Sequence, residues 1–173
     1  MTQWDETGFF RTDSPTLVYK DITWTFGNAA LTVTLRYEPQ SGGLMLEQLY
    51  DKQRNRAMLV KPSSLLKLTN PAGETVLDLS QGWDLAVAPR NLHPRVGAKQ
   101  ASTMGFDIEL QSREPSPLAM DKVTVVLQVN VFPGDEPYIT IEPVVQGRWR
   151  EKTHIDMVYY ARLQPANGGK LVT

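Results

Sequence analysis

The sequence of 173 residues contains no cysteine and only two histidines, His93 and His154. The lack of cysteine excludes disulfide scaffolds, thiol nucleophiles, thiolate zinc sites and iron–sulfur clusters. The two histidines are about 60 residues apart, and no carboxylate stands at a spacing typical of a metal site beside either of them. The sequence therefore predicts no metal site.

Charge of one sign is not in excess, and long hydrophobic runs are missing. Eighteen Lys and Arg residues against nineteen Asp and Glu residues give a formal net charge of −1. This balance excludes the basic surface typical of nucleic-acid binding and a polybasic membrane patch. No stretch reaches the roughly 18 apolar residues of a membrane helix, and residues 1–8 have no signal-peptide pattern. We expect a soluble chain, either cytoplasmic or exported with its signal peptide removed.

Motifs that carry catalysis by themselves are also missing. The sequence has no Gly-x-Ser-x-Gly elbow, no glycine-rich phosphate loop and no His-Glu-x-x-His. Carboxylates do occur near the ends of predicted strands, and a pair of them could act as acid and base in glycoside cleavage. These carboxylates are Asp84, Asp107, Glu109, Glu142 and Asp156. Acids on the solvent face of strands explain them more simply, so no catalytic residue and no cofactor is predicted.

What the sequence does contain is a two-residue alternation of apolar and polar side chains, the period of a half-buried β-strand. It is clearest from Phe106 to Gln111 and recurs from Leu31 to Tyr37 and from Ile155 to Leu163. By contrast, Val123 to Phe132 is apolar at nearly every position. That run predicts a central strand covered on both faces, or on one face by a second sheet and on the other by a partner.

Shorter strand candidates lie between turn signals rich in Gly, Pro and Asn. They are Leu17–Tyr19, Ile22–Phe26, Leu44–Tyr50, Ala57–Val60, Leu65–Leu68, Val76–Leu79, Trp83–Val87 and Tyr138–Val145. Ten or more short strands at this spacing predict an all-β fold, an antiparallel β-sandwich. No repeat or linker divides the chain, so we expect a single domain over 1–173, with a polar leader at 1–16 and a flexible, Gly-rich tail at 164–173.

Two regions stand out as candidate binding sites. The segment Ala88–Ala101 is the longest irregular stretch and carries Arg90 and His93 among its cations but no acid. A long loop on a β-scaffold is either a functional site or a solvated connector. The second region is Trp149, which stands between Arg148 and Arg150.

The neighbours of Trp149 in the sequence leave two interpretations open. No apolar residue beside it predicts burial, and an exposed tryptophan flanked by arginines can stack on a sugar ring or anchor a protein interface. Alternatively, Trp149 caps the end of a sheet and the arginine stems pack beside it. Trp83 differs, because it alternates with Leu85 and Val87 and is therefore predicted to lie in the core.

Three parts of the chain resemble the galactose-mutarotase-like β-supersandwiches. Trp24 to Val33 is similar to their opening strand, with its Gly-Asn turn, and is followed by Gly42-Gly43 and the segment Leu46 to Asp51. Val123 to Val145, with its Phe-Pro-Gly corner, resembles the N-terminal β-domains of family 36 α-galactosidases and related glycoside hydrolases. The histidine pair and glutamate base of mutarotases have no matching positions here, and the full supersandwich usually runs well beyond 173 residues. The resemblance therefore implies a non-catalytic, sugar-associated β-domain that belongs to a larger enzyme.

Three functions follow as hypotheses. The first is a carbohydrate-associated accessory domain, with Trp149 as the stacking plate and Arg148, Arg150, Arg90 and His93 as hydrogen-bond donors to a saccharide. The second is a small sugar isomerase or mutarotase, which needs His93 or His154 beside an acid. The third is a structural or interaction domain that docks on a neighbouring catalytic domain or on a second copy of itself.

Overall fold

The computed structural model describes residues 15–58, 62–95, 103–116, 119–133 and 138–149, and the backbone of 157–160. Within these ranges every helix-or-strand element is a β-strand, and every strand pair is antiparallel. The prediction of an all-β, sandwich-like fold is thus confirmed. The described ranges contain no helix that could cross a membrane. The predicted tail and residues 1–14 of the predicted leader lie outside the described residues.

The first sheet contains six strands in the order β1-β2-β3-β4-β5, with β6 also paired to β4. Its strands are β1 (Thr16–Lys20), β2 (Thr23–Gly27), β3 (Leu31–Glu38), β4 (Gly43–Asp51), β5 (Arg56–Ala57) and β6 (Ser63–Ser64). The alternation predicted from Leu31 to Tyr37 corresponds to β3. A register shift between Thr34 and Leu35 marks an irregularity in its pairing with β4.

The second sheet contains five strands in the order β10-β11-β12-β13, with β9 also paired to β11. Its strands are β9 (Trp83–Val87), β10 (His93–Pro94), β11 (Met104–Ser112), β12 (Thr124–Phe132) and β13 (Tyr138–Gln146). Strands β9 and β10 share one edge of β11, since β10 pairs near Met104 and β9 pairs near Ser112. The segment predicted to be irregular, Ala88–Ala101, therefore contains a short strand.

A smaller third sheet has the order β14-β7-β8. Its strands are β7 (Leu66–Thr69), β8 (Thr75–Asp78) and β14 (Met157–Tyr160). Strand β14 corresponds to part of the alternation predicted from Ile155 to Leu163; the rest of that prediction, including His154, lies outside the described residues.

The core lies between the inner faces of these sheets and is built from the apolar member of each alternation. Phe26 of the first sheet meets Phe106 of the second edge to face, with ring centroids 5.0 Å apart. The inward residues of β11, Phe106, Ile108 and Leu110, are all buried, as the alternation predicted. Trp83 is buried as well, which confirms its predicted place in the core. Apolar area removed from water is the main stabilising term of such a sandwich.

The burial of strand β12 distinguishes between the two interpretations of its apolar run, a strand covered on both faces by the fold or on one face only. Every second residue from Val125 to Val131 is buried, whereas the residues between them are half-buried. One face is therefore covered by the opposing sheets, and no described element buries the other face. The alternative of a strand buried on both faces is wrong for the described part of the chain. Coverage of the outer face by a partner stays a prediction.

Asn28 connects the turn between β2 and β3 to the second sheet. Its Oδ1 accepts hydrogen bonds from the backbone N–H groups of Ala30 and Leu31, both at 3.0 Å. Its Nδ2 donates to the carbonyl oxygens of Phe132 at 3.0 Å and Tyr138 at 3.2 Å. The side chain is buried, so one amide satisfies four backbone groups at the point where β12 and β13 approach the first sheet.

Candidate functional site

Trp149 lies just after β13, where its backbone is held on both sides. It forms an isolated antiparallel bridge with Ala119, and the Arg148 carbonyl accepts a hydrogen bond of 2.7 Å from the N–H of Met120. The residue is 37% exposed, so the greater part of it is packed against the protein. Trp149 thus lies at the end of a sheet and also presents surface to solvent, and its role in binding a sugar or a protein stays a prediction.

The exposed part of Trp149 borders a pocket of about 150 Å³ between the end of the second sheet and β8. Val76, Trp83 and Val123 give the pocket apolar walls, and Asp78 and Gln81 add polar groups. Val76, Leu77 and Asp78 are consecutive residues of β8, so the pocket runs along the end of this strand. The pocket thus combines an aromatic plate with hydrogen-bonding groups, the usual composition of a small-ligand site.

Hydrogen bonds fix the polar side of this pocket. The Asp78 Oδ1 accepts from the Ser80 N–H at 2.8 Å and from the Ser64 hydroxyl at 2.7 Å. The indole Nε1 of Trp83 donates to the Asp78 carbonyl oxygen at 2.8 Å. A positive φ of 84° at Gly82 lets the chain turn sharply between Gln81 and the buried Trp83. These bonds hold the Asp78 carboxylate against Ser64 and Ser80, which do not line the pocket, and its carbonyl oxygen against Trp83, which does. Gln81 is exposed at the edge of the pocket.

Two of the other predicted saccharide contacts lie next to Trp149 in the sequence. The Arg148 guanidinium binds Asp121, with its Nη2 2.6 Å and its Nε 2.7 Å from the same Oδ2. Both side chains are exposed, so this ion pair adds little stability. Arg150 lies outside the described residues.

Arg90 and His93 lie at the other end of the second sheet. His93 pairs with Gly105 on β11, whereas Trp149 borders the pocket beside Ser112. Seven residues of β-strand at roughly 3.4 Å each separate these two positions by about 24 Å. Arg90 stands over the Tyr19 ring, with its Cζ 5.4 Å from the centroid. One monosaccharide therefore cannot touch Trp149 together with Arg90 or His93, so the described members of the predicted site are not brought together.

The titratable groups of the described residues give no proton-transfer pair. The His93 side chain is exposed, and no hydrogen bond or ion pair joins its imidazole to a described residue. Two of the strand-end carboxylates are engaged by arginines, Asp84 by Arg113 at 2.9 Å and Asp107 by Arg95 at 2.6 Å. Within the described ranges, no three His, Asp or Glu side chains lie close enough to hold a metal ion.

A larger cleft of about 280 Å³ lies between the first two sheets. Its walls are aliphatic side chains of β3, β4, β12 and β13 and of the segment at Leu65; Val33, Leu46, Leu127, Ile141 and Pro143 are among them. No described charged or hydrogen-bonding side chain lines this cleft. It can receive apolar groups but has nothing that would orient a polar ligand.

The sequence indicated Trp149 but not the residues that complete its pocket. Gln81 and Gly82 were recognisable as a turn, and that turn is the only local signal for the pocket. Asp78 lies in the predicted strand Val76–Leu79, about 70 residues before Trp149, and nothing in the sequence pairs the two. Only the packing of β8 against the end of the second sheet brings them together.

No family model, no curated protein and no solved structure matches this chain.

Proposed function

We propose that this chain is a non-catalytic, carbohydrate-associated β-sandwich domain, accessory to or part of a glycoside-hydrolase-like protein. In this proposal it holds a saccharide in the pocket beside Trp149. The observation that carries the proposal is the combination in one pocket of a partly exposed indole with the polar residues Asp78 and Gln81. The resemblance of the sequence to the N-terminal β-domains of glycoside hydrolases points the same way.

The binding mode follows from the chemistry of the two partners. A pyranose has an apolar face of C–H groups, which stacks on the indole of Trp149. Its hydroxyl groups form hydrogen bonds with polar groups of Asp78 and with the Gln81 amide. Because the pocket is small and open to solvent, it suits one sugar ring at the end of, or along, a longer glycan. Arg148 does not line the pocket, and its guanidinium binds Asp121.

A glycan-array screen of the chain, followed by calorimetry on each hit, tests the proposal. Trp149→Ala is expected to lower the affinity for the hit at least tenfold, because stacking on an aromatic face is lost. Arg90→Ala serves as the matched control, since Arg90 is exposed and lies at the other end of the sheet. The absence of any glycan hit, or equal loss in both variants, would count against a saccharide site at Trp149.

The interaction-domain hypothesis is a second candidate, and the aliphatic cleft between the sheets favours it. Ile139, Ile141 and Val145 of β13 face the core but are only half-buried, so a docking partner would bury more apolar surface there. Light scattering over a range of concentrations tests self-association directly. A monomer at all concentrations together with a glycan hit lost in Trp149→Ala would favour the saccharide site. A concentration-dependent dimer without any glycan hit would favour the interaction domain.

The isomerase alternative receives no support from His93, which is exposed and has no carboxylate partner among the described residues. His154 lies outside the described residues, and its predicted role stays a prediction.

A further inference from the structure

We propose that Pro143 keeps the free edge of β13 from pairing with a strand of a second copy of this chain. The proposal is independent of the saccharide site and concerns the edge of the second sheet. Among the residues that the structure describes, the only strand beside β13 is β12, so the other edge of β13 is open there. A nine-residue edge strand with unpaired backbone groups is a template for pairing between chains.

The side chains along β13 would favour such pairing. Ile139 and Ile141 are half-buried and line the aliphatic cleft between the sheets, and Val144 is exposed. A strand added at this edge would remove apolar surface from water, which favours association. Something must therefore oppose the pairing if the chain is to remain a monomer.

The ladder between β12 and β13 fixes the direction of the Pro143 nitrogen. The two strands pair antiparallel along the whole of β13 without a register shift, and Pro143 lies opposite Leu127. Proline has no backbone N–H, so within a sheet it takes positions whose nitrogen points away from the neighbouring strand. The Pro143 nitrogen therefore lies on the free edge of β13.

The other donors on that edge follow from the period of an antiparallel ladder. Along such a strand, residues that bond to the neighbour alternate with residues whose N–H and C=O point to the opposite side. The N–H groups two and four residues from Pro143 therefore also lie on the free edge. They belong to Ile139, Ile141 and Val145. Pro143 thus interrupts the row of donors and separates Val145 from the other two.

This interruption counts twice in a dimer of two β13 strands. An antiparallel pair of identical strands is two-fold symmetric, so both copies bring the same edge to the interface. Each Pro143 leaves a carbonyl oxygen of the other copy without a donor, and an unpaired group that has lost its water is unfavourable. We expect the proline to weaken such a dimer by roughly tenfold or more.

Sedimentation velocity on the full chain, over about a hundredfold range of protein concentration, tests the proposal. The wild type should remain a monomer, whereas Pro143→Val should dimerise at concentrations roughly tenfold lower than the wild type or lower still. Pro71→Val is the matched control, because Pro71 is exposed in the turn between β7 and β8, and it should behave as the wild type. Pro143→Val combined with Val145→Pro moves the missing donor to the next position on the free edge and should restore the monomer.

The outcomes of sedimentation divide clearly. A Pro143→Val variant that is as monomeric as the wild type overturns the proposal. So does a wild type that dimerises as strongly as Pro143→Val, or a Pro71→Val variant that dimerises to the same extent.

Amide hydrogen exchange on the wild-type protein decides the question even if Pro143→Val does not fold. The N–H groups of Ile141 and Val145 lie on the free edge and should exchange quickly. Those of Glu142 and Val144 bond to β12 and should exchange at least roughly tenfold more slowly. Equal protection of all four amides would mean that the edge is covered, and would overturn the proposal.

Discussion

Replacement of Asn28 by alanine should be among the most destabilising single changes in this chain. The Asn28 amide is buried and forms four hydrogen bonds with backbone groups. Two of these bonds shape the β2–β3 turn, and the other two join that turn to Phe132 and Tyr138 at the facing ends of β12 and β13. Alanine removes all four at once and leaves a small cavity between the sheets.

The magnitude follows from the hydrogen bonds themselves. Each bond contributes about 0.5–1.5 kcal/mol net, which for four bonds gives about 2–6 kcal/mol. Three of the four bonds are only partly buried, so water recovers part of this energy in the variant. We therefore expect Asn28→Ala to lower the free energy of unfolding by about 2–4 kcal/mol. For a chain of this size, that loss lowers the melting temperature by about 4–16 °C.

Urea denaturation followed by circular dichroism measures the loss. Asn70→Ala is the matched control, because Asn70 is an asparagine in a turn whose bonds with Glu74 are local and exposed; we expect it to cost less than about 1 kcal/mol. Asn28→Asp should cost at least as much as alanine at neutral pH, because a carboxylate oxygen would then face two carbonyl oxygens. A loss below 1 kcal/mol for Asn28→Ala, or a loss equal to that of Asn70→Ala, would refute the reasoning.

Two further predictions concern the framework. A Cβ at Gly105 would overlap the Val129 carbonyl oxygen and the Arg95 Nε, so Gly105→Ala should lower the free energy of unfolding by about 1–3 kcal/mol. A Cβ at Gly147 would lie at ordinary contact distances from its neighbours, so Gly147→Ala should cost less in the same denaturation experiment. The backbone N–H and the guanidinium of Arg54 lower the pKa of Asp51 below its usual 3.8. The folded state thus favours the ionised Asp51. Its contribution to the free energy of unfolding is complete above pH 4 and is lost as the pH falls through the folded-state pKa. The difference in melting temperature between the wild type and Asp51→Asn should therefore be constant from pH 5 to 7 and shrink below pH 3.8; a gap that widens in acid would contradict this.

The strands that the sequence predicted are those long enough to show their period. Apolar and polar side chains alternate over six or seven residues in Phe106 to Gln111 and in Leu31 to Tyr37, because one face of each strand packs on the core and the other is more exposed. Strands β6 and β10 have only two residues each, which are too few to show an alternation of apolar and polar side chains. Their pairing is decided by the neighbouring strand rather than by their own composition.

The candidate site was predictable only where a single residue carries the signal. Trp149 has no apolar neighbour in the sequence, and its partial exposure follows that pattern. Val123 and Asp78, which line the same pocket, lie far from Trp149 in the sequence, and the order of the strands brings the three together. Arg90 and His93 were grouped with Trp149 by charge alone. In the structure, β10 pairs with the far end of β11, which places Arg90 and His93 away from Trp149. No local property of the sequence predicts that pairing.

The half-buried inner face of β13 has a consequence for how the folded chain fluctuates. Among the described residues, β13 pairs only with β12, and its inward side chains border the aliphatic cleft. Detaching β13 breaks its backbone hydrogen bonds with one neighbouring strand and exposes side chains that are already partly exposed. Detaching β12 breaks the hydrogen bonds with two neighbouring strands and exposes side chains that are buried. Transient opening of the native state is therefore expected to be easier at β13 than at β12.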